Sequence, residues 1–278
     1  MPGNNARNSN VIKSAWAMAL LVMAAGLTCK PAAAAEVSLA ERLELFRQAW
    51  PGLVAAVDGN RMVLTDGQSI MIDDGLKKDH QQKLKDADVE DMLSQVYPMD
   101  GCFKGSMPVN SDPGRIRNLQ VMKAIFGATK QQVVKRSVLI NWYGQKLAFT
   151  TTAGADKALQ AVRDDLEKLP PKFSKFYRKS GGTFVWRTVA STQRLSQHSF
   201  ASAIDINTAY TNYWLWSGGK PGKVPIYKNR IPMEIVRIFE RHGFIWGGKW
   251  YHYDTMHFSY RPDLIAIGTL AAKRGCVR

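Results

Sequence analysis

The sequence predicts an α+β fold, a small mixed or antiparallel sheet with flanking helices that follows an accessory α+β lobe. Two observations support this prediction. Short alternating runs typical of strands are mixed with runs of helical spacing, without the regular strand–helix–strand order of a parallel sheet. Of the 278 residues, 45% are hydrophobic, which is enough to bury a core.

Residues 36–130 form the predicted accessory lobe. Leu39, Leu43 and Phe46 lie at helical spacing, which predicts an opening helix. Asp112-Pro113 is typical of a helix cap followed by a first-turn proline. The predicted elements are a helix, a β-meander and two further helices, over residues 38–50, 62–72, 88–96 and 112–126.

Residues 131–278 form the second predicted domain. Leu159, Val162 and Leu166 share one helix face, which predicts a helix packed on the core. A loop rich in tryptophan and glycine precedes the last predicted helix. The predicted elements are a hairpin, a helix, two strands and a helix, over residues 137–151, 156–169, 183–187, 203–207 and 232–242.

Residues 1–35 resemble a secretion signal. They contain three basic residues and no acidic one, an apolar run at residues 15–27, and a small-residue cleavage site that would leave Glu36 first. The run is short for a bilayer span, which needs about 20 residues. We therefore predict export with no membrane span after cleavage; the alternatives are an uncleaved anchor or a lipoprotein on Cys29.

The chain is strongly basic, with a net charge of +15. Cleavage would remove three of its 38 basic residues and none of its 23 acidic residues, leaving +12. This charge favours encounter with anionic polymers, such as those of a cell envelope. The lysines are scattered and no nucleic-acid module is present, so we predict no specific nucleic-acid binding.

Two cysteines, Cys102 and Cys276, remain after cleavage of the leader. In an oxidising compartment they could form a disulfide between the middle of the chain and its tail, and two unpaired thiols are the alternative.

Histidines are concentrated in the last third of the chain, and no cysteine pair has metal-finger spacing. A transition metal would therefore need histidine and carboxylate ligands. His198 and Asp205 would lie roughly 23 Å apart on one straight strand, so they can share a metal only if residues 199–202 bend back. Asp254 and His257 are three residues apart, close enough to act at one site, and aromatic residues flank them.

These segments resemble the zinc D,D- and L,D-peptidases that include the VanY and VanX D-alanyl-D-alanine peptidases and the phage L-alanyl-D-glutamate endolysins. That family carries Ser-x-His-x-x-Gly-x-Ala-x-Asp, a Trp-Gly-rich stretch and an acid-x-x-His. The sequence has Ser196, His198, Ala203 and Asp205, then Trp246-Gly247-Gly248, then Asp254 and His257. The resemblance covers about residues 170–265.

The resemblance implies a zinc ion held by His198, Asp205 and His257, with a fourth position open for water. It implies Asp254 as the general base and Arg187 as the group that stabilises the developing negative charge, with Arg194 as a second choice. By the same resemblance, the residues predicted to contact substrate are Ser196, Trp246, Trp250 and His252.

Three features depart from the family pattern or compete with it. Ala201 stands where the family has glycine, a substitution that costs little if its φ is negative. Ser259 stands where many members have glutamate, which bears on substrate choice. His252 could compete as a ligand or carry a proton, and we predict that it supports the site without binding the metal. His80 and His242 are predicted to be structural.

We therefore expect an exported zinc metallopeptidase, in the periplasm or cell wall, that acts on peptidoglycan stem peptides as a carboxypeptidase or an endopeptidase. One alternative is a zinc-containing wall-binding protein without turnover. A second is a basic envelope protein that holds no metal and binds an anionic polymer.

Overall fold

The computed structural model describes residues 36–99, 101–188 and 194–276. The predicted leader lies outside these residues. The helices are α1 Leu39–Ala49, α2 His80–Lys85, α3 Val89–Leu93, α4 Leu119–Phe126, α5 Lys130–Lys135, α6 Ala155–Leu166, α7 Ser174–Tyr177, α8 Met233–Arg241 and α9 Pro262–Lys273. The strands are β1 Val54–Asp58, β2 Arg61–Leu64, β3 Ser69–Met71, β4 Ser137–Trp142, β5 Gln145–Thr150, β6 Ala203–Asp205, β7 Phe244–Trp246 and β8 His257–Tyr260. Short helices and small antiparallel sheets confirm the predicted α+β class.

The first part of the chain contains the predicted opening helix and β-meander. A capping box starts α1, in which Ser38 and Glu41 satisfy each other's backbone N–H groups. Strands β1, β2 and β3 form an antiparallel sheet in sequence order. Met62, Leu64 and Ile70 point inward from this sheet because side chains alternate along a strand.

The second part contains the predicted hairpin of β4 and β5, whose register pairs Trp142 with Gln145. Behind it lies α6, which buries Leu159, Val162 and Leu166 as the helical spacing predicts. The last sheet has the order β6-β8-β7 and is antiparallel throughout. The central strand β8 is fully buried, which leaves no alternating pattern for sequence reasoning to detect.

One hydrophobic cluster includes residues from both predicted domains. Trp50 at the end of α1 makes edge-on contacts with Phe126 at 5.6 Å and with Tyr260 of β8 at 6.0 Å. Cys102 and Cys276 form a disulfide across a sequence separation of 174 residues. The boundary near residue 130 stays a prediction. Among the described residues, no helix has the length and hydrophobicity to cross a membrane.

Two predicted elements are corrected by the structure. Asp112-Pro113 does not open a helix; α4 begins later, where the Asn118 side chain caps it by accepting from the backbone N–H of Val121. Asp112 instead accepts hydrogen bonds from His252, which lies 140 residues away. Residues 183–187 do not form a strand, because the Ser199 hydroxyl bonds their backbone in place of a neighbouring strand.

Candidate metal centre

His198 and Asp205 meet because the chain reverses tightly between them. The Ser196 hydroxyl caps a 3₁₀ turn over Gln197–Phe200. Ala201 follows with a φ of 50°, and the chain then enters β6. The bend that the spacing required is therefore present. The condition under which alanine would cost little, a negative φ, is therefore not met, and this backbone region costs on the order of 1 kcal/mol for a residue with a Cβ.

His257 completes the group from the neighbouring strand, since β8 pairs it directly with Asp205. The distance from His198 Nε2 to Asp205 Oδ1 is 3.2 Å, and that from His257 Nδ1 to the same oxygen is 3.1 Å. The two ring nitrogens are 3.2 Å apart. Three donor atoms thus form a nearly equilateral triangle.

The ring nitrogens on the far sides of both imidazoles have partners of their own. His198 Nδ1 donates to the backbone carbonyl of Thr183 at 3.0 Å, so its proton is on Nδ1 and Nε2 presents a lone pair. His257 Nε2 contacts the Ser259 hydroxyl at 2.5 Å, which accepts a hydrogen bond from the Nε2 proton when Nδ1 carries the lone pair. Outer partners of this kind fix the orientation of metal-binding histidines.

The donor set fits a zinc ion. Two imidazoles and one carboxylate are ligands of catalytic zinc sites, and tetrahedral ligands at their usual bond lengths are about 3.3 Å apart, close to the observed triangle. Burial opposes a charge on Asp205, but His198 and then His257 outweigh it and hold the pKa of this carboxyl well below its usual range. Asp205 is therefore available as an anion.

Asp254 lies beside this triangle, and hydrogen bonds of its backbone hold it there. Its N–H donates to the Gly247 carbonyl at 2.9 Å, and its carbonyl accepts from the His257 N–H at 3.2 Å. Within the described parts of the chain, its buried Oδ1 has no hydrogen-bond partner. Burial, and then repulsion by Asp205, raises the pKa of Asp254 to about 8. Such a carboxyl has a proton affinity suited to acid–base chemistry near neutral pH.

These groups line a cavity of about 190 Å³. Arg187, the predicted electrostatic residue, lines it with an exposed side chain. Ser196, Trp250 and His252, three of the predicted substrate contacts, line it as well. Trp250 forms part of its wall, with its ring centre 5.5 Å from that of His257.

Trp246 requires a correction, because the structure places it in the core under the site. It is fully buried, and its indole N–H donates to the Thr255 carbonyl at 3.0 Å. Its ring stacks on Phe258 at 6.3 Å. A large apolar ring in this position gains more from packing than from a substrate contact, so Trp246 supports the sheet that carries His257.

Comparison with known families concerns the segment that carries this site. Residues 190–260 match the model of the D-alanyl-D-alanine carboxypeptidase family. The matched segment includes His198, Asp205, Asp254 and His257, so the resemblance to this family is confirmed there and supports a peptidase. Arg187 and residues 36–130 lie outside it. A search of curated proteins and a search of solved structures each found no match.

A second group of two histidines and one aspartate, His80, Asp112 and His252, lies close by. Asp112 Oδ2 is 2.6 Å from His252 Nδ1 and 3.1 Å from His80 Nε2, and the two rings stack at 5.5 Å. Arg115 contacts the same oxygen at 3.3 Å. Asp112 is completely buried, and after the opposing effect of burial, Arg115, His252 and His80 hold its pKa far below the usual range.

The hydrogen bonds of His252 argue against a second metal centre. Its Nε2 accepts from the Gly222 N–H at 3.0 Å, so the proton is on Nδ1 and points at Asp112. A metal on Nδ1 would place a proton on Nε2, facing another N–H. Asp112 and His252 are therefore a hydrogen-bonded pair on which the His80 ring stacks; within the described residues, neither ring nitrogen of His80 has a hydrogen-bond partner. His242 lies elsewhere, bonded to Asp165 at 2.9 Å.

Residues 111–117 contribute to the site although sequence reasoning did not place them there. Arg115 and Arg117 line the cavity, together with Tyr213, Gln197 and the predicted second choice Arg194. The pair Arg115 and Arg117 has no local signal in the sequence. Their position depends on contacts with residues near 195 and 250, which only the folded chain reveals.

Proposed function

We propose that the protein is an exported zinc metallopeptidase that hydrolyses the stem peptides of peptidoglycan. The convergence of His198 Nε2, His257 Nδ1 and Asp205 Oδ1 carries this proposal. The match of residues 190–260 to D-alanyl-D-alanine carboxypeptidases supports peptide hydrolysis as the reaction. The basic charge favours encounter with anionic envelope polymers.

Each residue has a role that follows from its position. His198, Asp205 and His257 would hold the ion. Zinc, when bound, supplies a Lewis acid that lowers the pKa of water to about 7 and polarises a carbonyl. Asp254 accepts the proton of the attacking water and returns it to the leaving amine. Arg187 donates hydrogen bonds to the peptide oxygen as negative charge develops on it.

Export is supported by one feature besides the leader pattern. The Cys102–Cys276 disulfide is of a kind that persists in oxidising compartments. We place the protein in the periplasm or cell wall.

Mass spectrometry of purified muropeptides incubated with the zinc-loaded protein tests this proposal. Chelator-sensitive loss of a terminal D-alanine would identify a carboxypeptidase, and larger fragments would identify an endopeptidase. The His257→Ala variant serves as the control without metal. If the zinc-loaded protein binds muropeptides and leaves them intact, the peptidase proposal fails and a zinc-containing wall-binding protein takes its place.

A further inference from the structure

The cavity has an excess of positive charge on its wall. Arg115, Arg117, Arg187 and Arg194 line it, whereas Asp205 and Asp254 are its acidic residues. Zinc bound by the proposed ligands would increase this excess. A cleft of one charge sign attracts ligands of the opposite sign and concentrates them at the site. The substrate that fits this wall carries at least one anionic group.

Two of these arginines donate hydrogen bonds to backbone carbonyls. Arg117 donates to the carbonyls of Gly114 at 3.3 Å and Leu195 at 3.1 Å. Arg194 donates to the Arg115 carbonyl at 2.6 Å. These bonds tie residues 111–117 to Arg194 and Leu195, which come shortly before His198 in the sequence. They leave Arg115 as the side chain that this segment presents to the cavity.

Arg115 is held in place and still has donors to offer. Its Nη1 contacts Asp112 Oδ2 at 3.3 Å, and its guanidinium carbon lies 5.9 Å from the centre of the Trp250 ring. Its side chain is 20% exposed. Its Nε and Nη2 groups make no hydrogen bond to any residue in the described ranges. A guanidinium fixed on one edge presents the other edge for a bidentate contact, the geometry that carboxylates accept.

The same segment also supports Trp250 and His252, which line the cavity. The Pro113 carbonyl accepts from the Trp250 indole at 2.6 Å, and the Ser111 carbonyl accepts from the Tyr251 N–H at 2.9 Å. Asp112 accepts from the His252 N–H at 2.9 Å. Arg115 is thus fixed relative to the loop that continues to Asp254, which is what a specificity contact beside the reacting atoms requires.

We propose that Arg115 binds a carboxylate of the peptide substrate and so determines which peptides the site accepts. This inference rests on the proposed function, since it assigns the group that the peptide presents. Residues 111–117 lie outside the matched family segment. The residue that recognises the carboxylate therefore lies in the first half of the chain, outside that segment. Asp112 is the positioning residue that holds Arg115.

Calorimetric titration in the Asp254→Asn background measures this recognition without turnover. Three peptides ending in D-alanyl-D-alanine are compared: the free acid, its C-terminal amide, and the free acid with an internal side-chain carboxylate amidated. The free acid should bind about 10- to 100-fold more tightly than the derivative that lacks the recognised carboxylate. The derivative that binds weakly tells which carboxylate Arg115 takes.

Adding Arg115→Gln should abolish this discrimination, and Arg115→Lys should restore part of it. Arg241→Gln is the matched control, because Arg241 is 59% exposed on α8. Discrimination that persists in Arg115→Gln overturns the inference, as does equal binding of all three peptides or failure of all to bind. If the wild type cleaves nothing yet Arg115 still sets the binding ratio, the proposed function fails and the carboxylate site stands.

Discussion

The molecule contains two buried groups of two histidines and one aspartate, and they differ in what their ring nitrogens face. In the first group, His198 Nε2 and His257 Nδ1 point at each other and at Asp205, with their protons directed outward. In the second, His252 points its proton at Asp112, and the Gly222 N–H occupies its other nitrogen. The same residue types therefore make a triangle of donor atoms in one place and, in the other, a hydrogen-bonded Asp112–His252 pair with the His80 ring stacked on it.

This difference shows that the outer hydrogen bond of each histidine decides its role. An outer partner that accepts a hydrogen bond from the ring leaves the inner nitrogen with a lone pair for a cation. A backbone N–H that donates to the outer nitrogen leaves the ring proton on the inner nitrogen. The second group also has the guanidinium of Arg115 against its carboxylate, which makes the place unfavourable for a cation.

The sharpest test of the comparison removes one histidine from each group. His257→Ala should lose bound zinc and all measurable peptidase activity, because two ligands hold zinc poorly. His80→Ala should retain close to one zinc per chain. Elemental analysis after dialysis measures both. Retention of zinc by His257→Ala, or its loss from His80→Ala, would reverse the assignment of the two groups.

The next largest effect is expected at Asp254, beside the first group. Asp254→Asn should lower kcat by about 10³-fold, within the range for loss of a general base, while bound zinc stays near one equivalent. Steady-state kinetics with metal analysis on the same sample checks this. Normal cleavage by the variant would remove Asp254 from the mechanism and make His252 the candidate base.

The second group should matter for stability. Asp112→Asn removes the charge that Arg115 and His252 face, at a cost of about 3 kcal/mol in the free energy of unfolding. Because the folded pKa of Asp112 is depressed, this stabilisation is fully present above the unfolded pKa of about 3.9 and is lost progressively as the pH falls from there toward the much lower folded pKa. Urea unfolding at pH 7 should separate variant and wild type, and the separation should narrow at pH 3 without vanishing, because the folded carboxyl is still ionised there. An equal difference at both pH values would contradict this role.

The smallest effect concerns the outer bond of His257. Ser259→Ala removes the hydroxyl at 2.5 Å from Nε2 and should weaken zinc affinity about tenfold. Competition with a zinc chelator measures the affinity. Thr269→Ala is a control, since Thr269 bonds only its own helix through the Ile265 carbonyl. Unchanged affinity in Ser259→Ala would mean that the sheet alone orients the ring.

Sequence reasoning was most reliable where the signal is local. The cap of α1 and the amphipathic pattern of α6 can be recognised within one or two turns of sequence. Turn residues mark the β1–β3 meander. The two histidines and one aspartate of the first group, and Asp254 beside them, were found because their spacing resembles a known family. The structure brings the ligand atoms of His198, Asp205 and His257 together, while their roles stay predictions.

Failures occurred where a residue's partner is distant in sequence. Asp112 has the local signature of a helix cap, yet its side chain is bonded to His252, which lies 140 residues later in the sequence. Strand β8 has no alternation because both of its faces are buried. Trp246 lies in a Trp-Gly-rich stretch typical of a cleft, but its ring faces the core. Tertiary contacts decided all three.

The Cys102–Cys276 bond has a consequence for a protein exposed to proteases. It closes a covalent ring of residues 102–276. This ring contains Arg115, Asp254 and all three residues of the triangle, while His80 lies outside it. One cut anywhere in this ring leaves its two pieces joined, so a nicked molecule keeps every cleft residue. Electrophoresis of such nicked protein should show two fragments only after reduction, and a fragment released without reductant would mean that the ring is open.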